Sequence, residues 1–217
     1  MNAPLPPHRC RIVLMAPDSA DGFVDALVQA LSGGDVASLI LPQHGLSEVE
    51  FQKLAEAVTP LAQEAGAAVM IAGESRIAAR VKADGLHVEG RAALADAIDR
   101  LEGKMMVGTG GAKTRDDALA LGELGPDYMF FGRFGYDTTP EPHPRNLSLG
   151  RWWAEMIQIP CVVMGGSTVE SVSAVAATGA EFVALSRAVF ADGVDPAAAV
   201  AEANRLLDEA AAAAVAP

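Results

Sequence analysis

The chain has 217 residues, 51% of them hydrophobic, with 16 Lys and Arg against 28 Asp and Glu and a formal net charge of −12. That acidity argues against nucleic acid or an anionic membrane as a partner, and no apolar run reaches the roughly 18 residues of a membrane span. The length suits one full-sized core, and α/β barrels of this size are routinely a single domain.

Residues 1–9 are Pro-rich and lack the basic and apolar regions of a secretory signal, so they read as a short disordered arm of a cytoplasmic protein. The two cysteines, Cys10 and Cys161, have neither metal nor redox spacing, and two reduced thiols are expected. From residue 10 to 212 the chain alternates eight times between a short apolar run and a helical pattern. Strands are predicted at 11–17, 36–42, 67–72, 85–89, 104–108, 127–132, 161–164 and 181–185, each continuously apolar as parallel strands covered on both faces are. Helices are predicted at 22–31, 47–65, 75–82, 91–101, 114–124, 149–158, 168–177 and 196–212, followed by a tail over 213–217. Gly33, Gly66, Gly103, Gly125 and Gly179 supply C-caps, and Asp195-Pro196 is an N-cap with Pro at the first helical position. Eight βα units with no antiparallel signature suit a closed (β/α)₈ barrel better than a doubly wound sheet. The longest stretch without an element, 133–148, falls at the barrel mouth and carries Gly135, Pro140, Pro142 and Pro144, the composition of a lid.

Chemistry in such a barrel sits at the C-terminal ends of the strands. The run over 160–190 is the most informative. One apolar run ends in Gly165-Gly166 and the next in Ser186-Arg187, each with a helix starting just beyond. Backbone N–H groups at two adjacent strand ends form an anion cradle, and the loops after strands 7 and 8 are the usual phosphate site. Glycines serving only as turns are the plainer reading. The remaining strand ends contribute Gln43, His44, Glu74, His87, Glu89, Thr109, Lys113 and Arg133. Glu74 and Glu89 alone come from neighbouring strands and could share a Mg²⁺, while His87 lies in an apolar run that equally suits a histidine buried for packing.

Three segments carry a family resemblance: Val81-Lys82-Ala83-Asp84-Gly85-Leu86-His87-Val88, Gly125-Pro126-Asp127-Tyr128-Met129-Phe130-Phe131-Gly132, and the 160–190 run. Together, over about 11–195, they resemble the thiamin phosphate synthase family, whose superfamily includes the thiazole tautomerases. The resemblance implies a TIM barrel. It also implies a transferase of thiamin biosynthesis that couples a pyrimidine diphosphate to a thiazole phosphate, with Mg²⁺ and release of pyrophosphate. It places the thiazole phosphate at Gly165, Gly166 and Ser186, with Arg187 beside them, and the substrate pocket around Gln43, His87, Thr109, Gly132, Arg133 and Thr139.

The diphosphate and metal half departs from the family pattern. Its Gln-x-Arg-x-Lys falls on Leu39, Ile40, Leu41, Pro42 and Gln43; its Asn-Asp on Ala72 and Gly73; its second metal Asp near Arg91 and Ala92. Its Thr-x-Thr-Lys falls on Asp137, Thr138, Thr139 and Pro140. Glu74 and Glu89 are the candidates for relocated catalytic or metal carboxylates, and Arg133, Lys113 and Arg145 for relocated cations. A divergent synthase is therefore expected, using Mg²⁺ if active and no cofactor otherwise. A tautomerase-like enzyme and a non-catalytic binder of a phosphorylated ligand are the alternatives. The expected partners are a small phosphorylated substrate and at most a second copy of the chain in a homodimer, not nucleic acid or a membrane.

Overall fold

Strands of four or five residues with apolar side chains on both faces need a covering layer on each side, and a closed ring of them supplies one from its own interior. In the computed structural model, which describes residues 9–73, 75–101 and 103–215, eight parallel strands close in chain order into one barrel, with β1 paired to β8. The elements run β1 (Arg11–Met15), α1 (Phe23–Ser32), β2 (Ser38–Pro42), α2 (Glu48–Glu64), β3 (Ala68–Ala72), α3 (Ser75–Val81), β4 (Gly85–Glu89) and α4 (Arg91–Leu101). They continue β5 (Met106–Gly110), α5 (Arg115–Gly122), β6 (Tyr128–Phe131), α6 (Pro144–Met156), β7 (Cys161–Met164), α7 (Ser171–Ala176), β8 (Phe182–Leu185), α8 (Arg187–Phe190) and α9 (Pro196–Val215). This is the TIM (β/α)₈ architecture that the alternation predicts.

Several boundaries differ from the sequence expectation by one to five residues, and three of the differences have a visible local cause. A one-turn helix, α8, intervenes after β8 before the long final helix. α6 starts at Pro144, because the His143 ring caps it by accepting from the Arg145 N–H at 3.2 Å, so the irregular segment shortens to 132–143. β5 begins two residues late, since the Lys104 N–H is still spent on the Leu101 carbonyl at 2.8 Å in the preceding turn. α9 runs on through the alanines to Val215, as the strongest helix former would.

Residues 1–8 of the expected arm lie outside the described residues, but Arg9 is buried rather than in a loose arm. Its Nε donates to Asp208 at 2.6 Å and a terminal guanidinium nitrogen to Asn204 Oδ1 at 2.7 Å, with Asp35 3.6 Å from the other. These bonds clip the start of β1 to α9 and bring the two described chain ends together.

Alternation along each strand divides the core in two. Ile12 and Leu14 of β1 face the helical shell, while Val13 and Met15 face the interior with Ile40, Met70, Tyr128, Phe130, Val162 and Met164. The interior closes because bulky residues lie where neighbouring strands have no side chain. A Cβ on Gly108 would sit 2.0 Å from ring carbons of Tyr128, and one on Gly85 would sit 2.3 Å from the Met70 methyl. Gly108→Ala is accordingly expected to destabilise the fold by about 3 kcal/mol through overpacking, read as a lower urea midpoint.

Candidate active site

At the C-terminal ends of the strands a cleft of about 510 Å³ opens between β2, β3, β4 and the segment after β6. Its walls are Pro42 and Gln43, Ala72 and Gly73, His87 to Glu89, Ala93, and Arg133 with Phe134. The barrel thus brings together Gln43, His87, Glu89 and Arg133 from the residues the sequence singles out. Gln43 is held by its own turn, its Nε2 donating to the Leu46 carbonyl at 2.9 Å. The Arg133 guanidinium lies 3.9 Å from the centre of the exposed Tyr136 ring, a cation–π contact that limits the freedom of this side chain.

Other expected pocket residues are turned elsewhere. Thr109 is fully buried in β5 and its hydroxyl donates to the Val88 carbonyl at 2.9 Å, so it serves the sheet. Gly132 gives room for packing: a Cβ there would be 2.5 Å from Met164 Cβ. Thr139 donates to the Glu141 carbonyl at 3.0 Å, away from the cleft wall. His44 stands 3.0 Å from an Asp18 oxygen. Lys113 and Arg145 are solvent-exposed, and Glu74 lies outside the described residues.

His87 is both packed and site-facing. It is buried among Tyr128, Phe130 and Phe134, with ring centroids 5.2 to 5.7 Å away. Burial alone lowers its pKa to about 4, so the ring is neutral. Burial also pushes the Tyr128 phenol well above its ordinary value. The Tyr128 hydroxyl lies 2.9 Å from Nδ1 and shares one hydrogen bond with it. Nε2 is buried with no hydrogen-bond partner among the described residues, beside the bare Cα of Gly110.

The expected phosphate cradle is closed by the chain itself. The Gly166 N–H donates to Ser171 Oγ at 3.0 Å and the Arg187 N–H to Asp137 Oδ2 at 2.7 Å. The intervening Ser167 N–H donates to the Thr139 carbonyl at 2.7 Å. Gly166 is glycine for a steric reason: the Pro140 carbonyl oxygen would be 1.9 Å from any Cβ. The Gly166 and Arg187 amides consequently do not converge on open space, although a cavity of about 200 Å³ lies beside Arg187, lined by Asp18, Gly135, Asp137 and Ser186 among others. Asp137 is the site residue that sequence reasoning passed over, since an aspartate in a Pro- and Gly-rich loop carries no signal of burial.

The described residues, which do not include Glu74, do not by themselves make a Mg²⁺ site. Among the described residues no three His, Cys, Asp or Glu side chains converge, and Glu89 is the carboxylate on the cleft wall. A separate apolar cavity of about 290 Å³ lies at the opposite end of the barrel, around Val13, Ile40, Met70 and Val162, and carries no comparable chemistry.

The neutral His87 has a consequence for stability against pH. Unfolded, it would protonate near 6.5; folded, only near 4. Between those values the unfolded chain binds the extra proton, so stability falls as pH drops from 7 to 4, by up to about 3 kcal/mol from this group. His87→Gln should show a shallower acid loss than the native chain by about that amount, measured by urea unfolding at pH 7, 5.5 and 4.

Residues 12–189 match the model of a family described as thiamine monophosphate synthase. A thiamine-phosphate synthase of Rhodospirillum centenum is 34% identical over 91% of this chain and 98% of its own length. One of Hyphomonas neptunium is 34% identical over 94% and 96%. Among solved structures, a thiamine phosphate pyrophosphorylase from Pyrococcus furiosus superposes with a TM-score of 0.79 at 20% identity, over 92% of this chain and 96% of its own, a likeness of fold. With a third of its residues shared over nearly the full length of such proteins, and the family pattern running from the first strand to the helix after the last, this chain belongs to the thiamine monophosphate synthase family.

Proposed function

We propose that the protein is a thiamine-phosphate synthase acting in the cytoplasm. It joins the methylene carbon of a pyrimidine diphosphate to the ring nitrogen of a thiazole phosphate. The carbon–oxygen bond to the diphosphate breaks, that oxygen keeps the bonding pair, and the thiazole nitrogen supplies the pair for the new bond. Pyrophosphate departs and the thiazole becomes a thiazolium. The observation that carries the proposal is the full-length likeness to proteins of that name.

The cleft supports it chemically. Negative charge grows on the departing diphosphate, and a fixed cation at that point is worth far more in the transition state than in the ground state. Arg133, on the cleft wall, is the cation we assign to this role. His87 offers a neutral imidazole whose Nδ1 is paired with Tyr128, and Phe134 with Pro42 offers apolar walls for a heteroaromatic ring. The thiazole phosphate is proposed to sit at the ends of β7 and β8, at Gly165, Gly166, Ser186 and Arg187. Mg²⁺ belongs to the proposal as cofactor, but with Glu89 the described carboxylate of the cleft we derive no step through it.

A steady-state assay with both substrates tests the proposal. Mg²⁺-dependent formation of thiamin phosphate with equimolar pyrophosphate is the expected result. Thiazole phosphate that binds without turnover would favour a tautomerase-like enzyme or a binding protein instead. Arg133→Ala should lower kcat by about 100-fold, the cost of removing one preorganised charge contact. Glu89→Gln should remove most of the Mg²⁺-dependent activity if that carboxylate has taken over a metal role.

A further inference from the structure

One buried polar group stands out at the ends of β7 and β8. Asp137 stands in the irregular segment after β6, yet its side chain is only 1% exposed. One carboxylate oxygen accepts the Arg187 N–H at 2.7 Å; the other is buried with no hydrogen-bond partner among the described residues and has the Arg187 guanidinium no nearer than 4.0 Å. Burying a carboxylate half-satisfied is costly, and a structural bond to one amide could be made by a neutral side chain. What the site offers Asp137 is what it would offer a phosphate oxygen: a backbone N–H with a flanking guanidinium.

The rest of the segment is seated with it. The Thr139 carbonyl takes the Ser167 N–H at 2.7 Å, and the Pro140 carbonyl covers Gly166, where no side chain intervenes. Three features at two adjacent strand ends, the Arg187 N–H, the Ser167 N–H and the open face of Gly166, are thus covered by residues 137–140. We infer that Asp137 is a specificity-determining residue, a built-in anion that holds the place of the ligand's phosphate. A phosphorylated ligand enters only when the 132–143 segment withdraws and carries that carboxylate out. The inference rests on the placement of the thiazole phosphate under the proposed function and deepens it: Asp137 sets the affinity for phosphate, and the competition excludes anions too weakly bound to displace it.

Two variants separate this from a merely structural bond. Asp137→Asn keeps an oxygen for the Arg187 N–H but removes the charge; Asp137→Ala removes both. Inorganic phosphate is titrated into the native chain and both variants, followed by the amide shifts of Gly166, Ser167 and Arg187, with thermal unfolding recorded in parallel. Phosphate affinity should rise by about tenfold or more in Asp137→Ala, with Asp137→Asn between it and the native chain and the shifts confined to those amides. Affinity unchanged or weakened in Asp137→Asn, with the fold intact, overturns the inference and leaves Asp137 a structural tie of the loop. The readout needs no turnover. A protein that shows the affinity gain but forms no thiamin phosphate would retain the latch while losing the synthase reading, and the reverse outcome would do the opposite.

Discussion

The barrel depends on large side chains occupying space that neighbouring strands leave empty. The Tyr128 ring lies over Gly108, and Met70 fills the room left by Gly85. Interiors are packed to crystal-like density, so a closed ring of eight short strands tolerates neither an unfilled centre nor an extra methyl group. The site inherits this arrangement. Because Gly108 lets Tyr128 cross the interior, its hydroxyl reaches His87, and the two aromatic neighbours Phe130 and Phe134 keep water from the ring. A neutral histidine at the base of the cleft follows from packing, not from a nearby charge.

One segment joins the two halves of the mouth. Residues 132–143 send Arg133 and Phe134 into the cleft, and Asp137, Thr139 and Pro140 onto the ends of β7 and β8. Asp137 follows Arg133 by four positions, so the proposed release of its carboxylate from the Arg187 amide would bear on the Arg133 wall of the cleft. In an acidic chain of net charge −12, such local control matters, because the overall field repels anionic ligands and only fixed N–H groups and single cations can hold them.

Much of the fold was legible from the sequence because its signals are local. Apolar runs of four or five residues, glycines closing helices and an Asp-Pro start each report on their own neighbourhood, and eight repeats of them leave a parallel barrel as the economical solution. Boundaries failed where a partner outside the run decided them. His143 caps α6 through its ring, Lys104 stays in the preceding turn, and Arg9 is drawn in by Asp208 and Asn204 far along the chain.

For the site, the amino-acid sequence by itself determined which residues stand at strand ends and so which could meet: Gln43, His87, Glu89 and Arg133 do share one cleft. It also put the Gly165-Gly166 pair at the end of β7, as a phosphate cradle or a turn. Only the tertiary structure showed that Gly166 must be bare, by laying the Pro140 carbonyl against it, and only the tertiary structure turned Thr109 into the sheet and brought Asp137 to the Arg187 amide. The physical reason is that strand periodicity sets the face a residue takes, whereas hydrogen-bond partners between loops depend on how far each backbone can approach another. That distance is fixed by packing across the whole barrel, which no local pattern encodes.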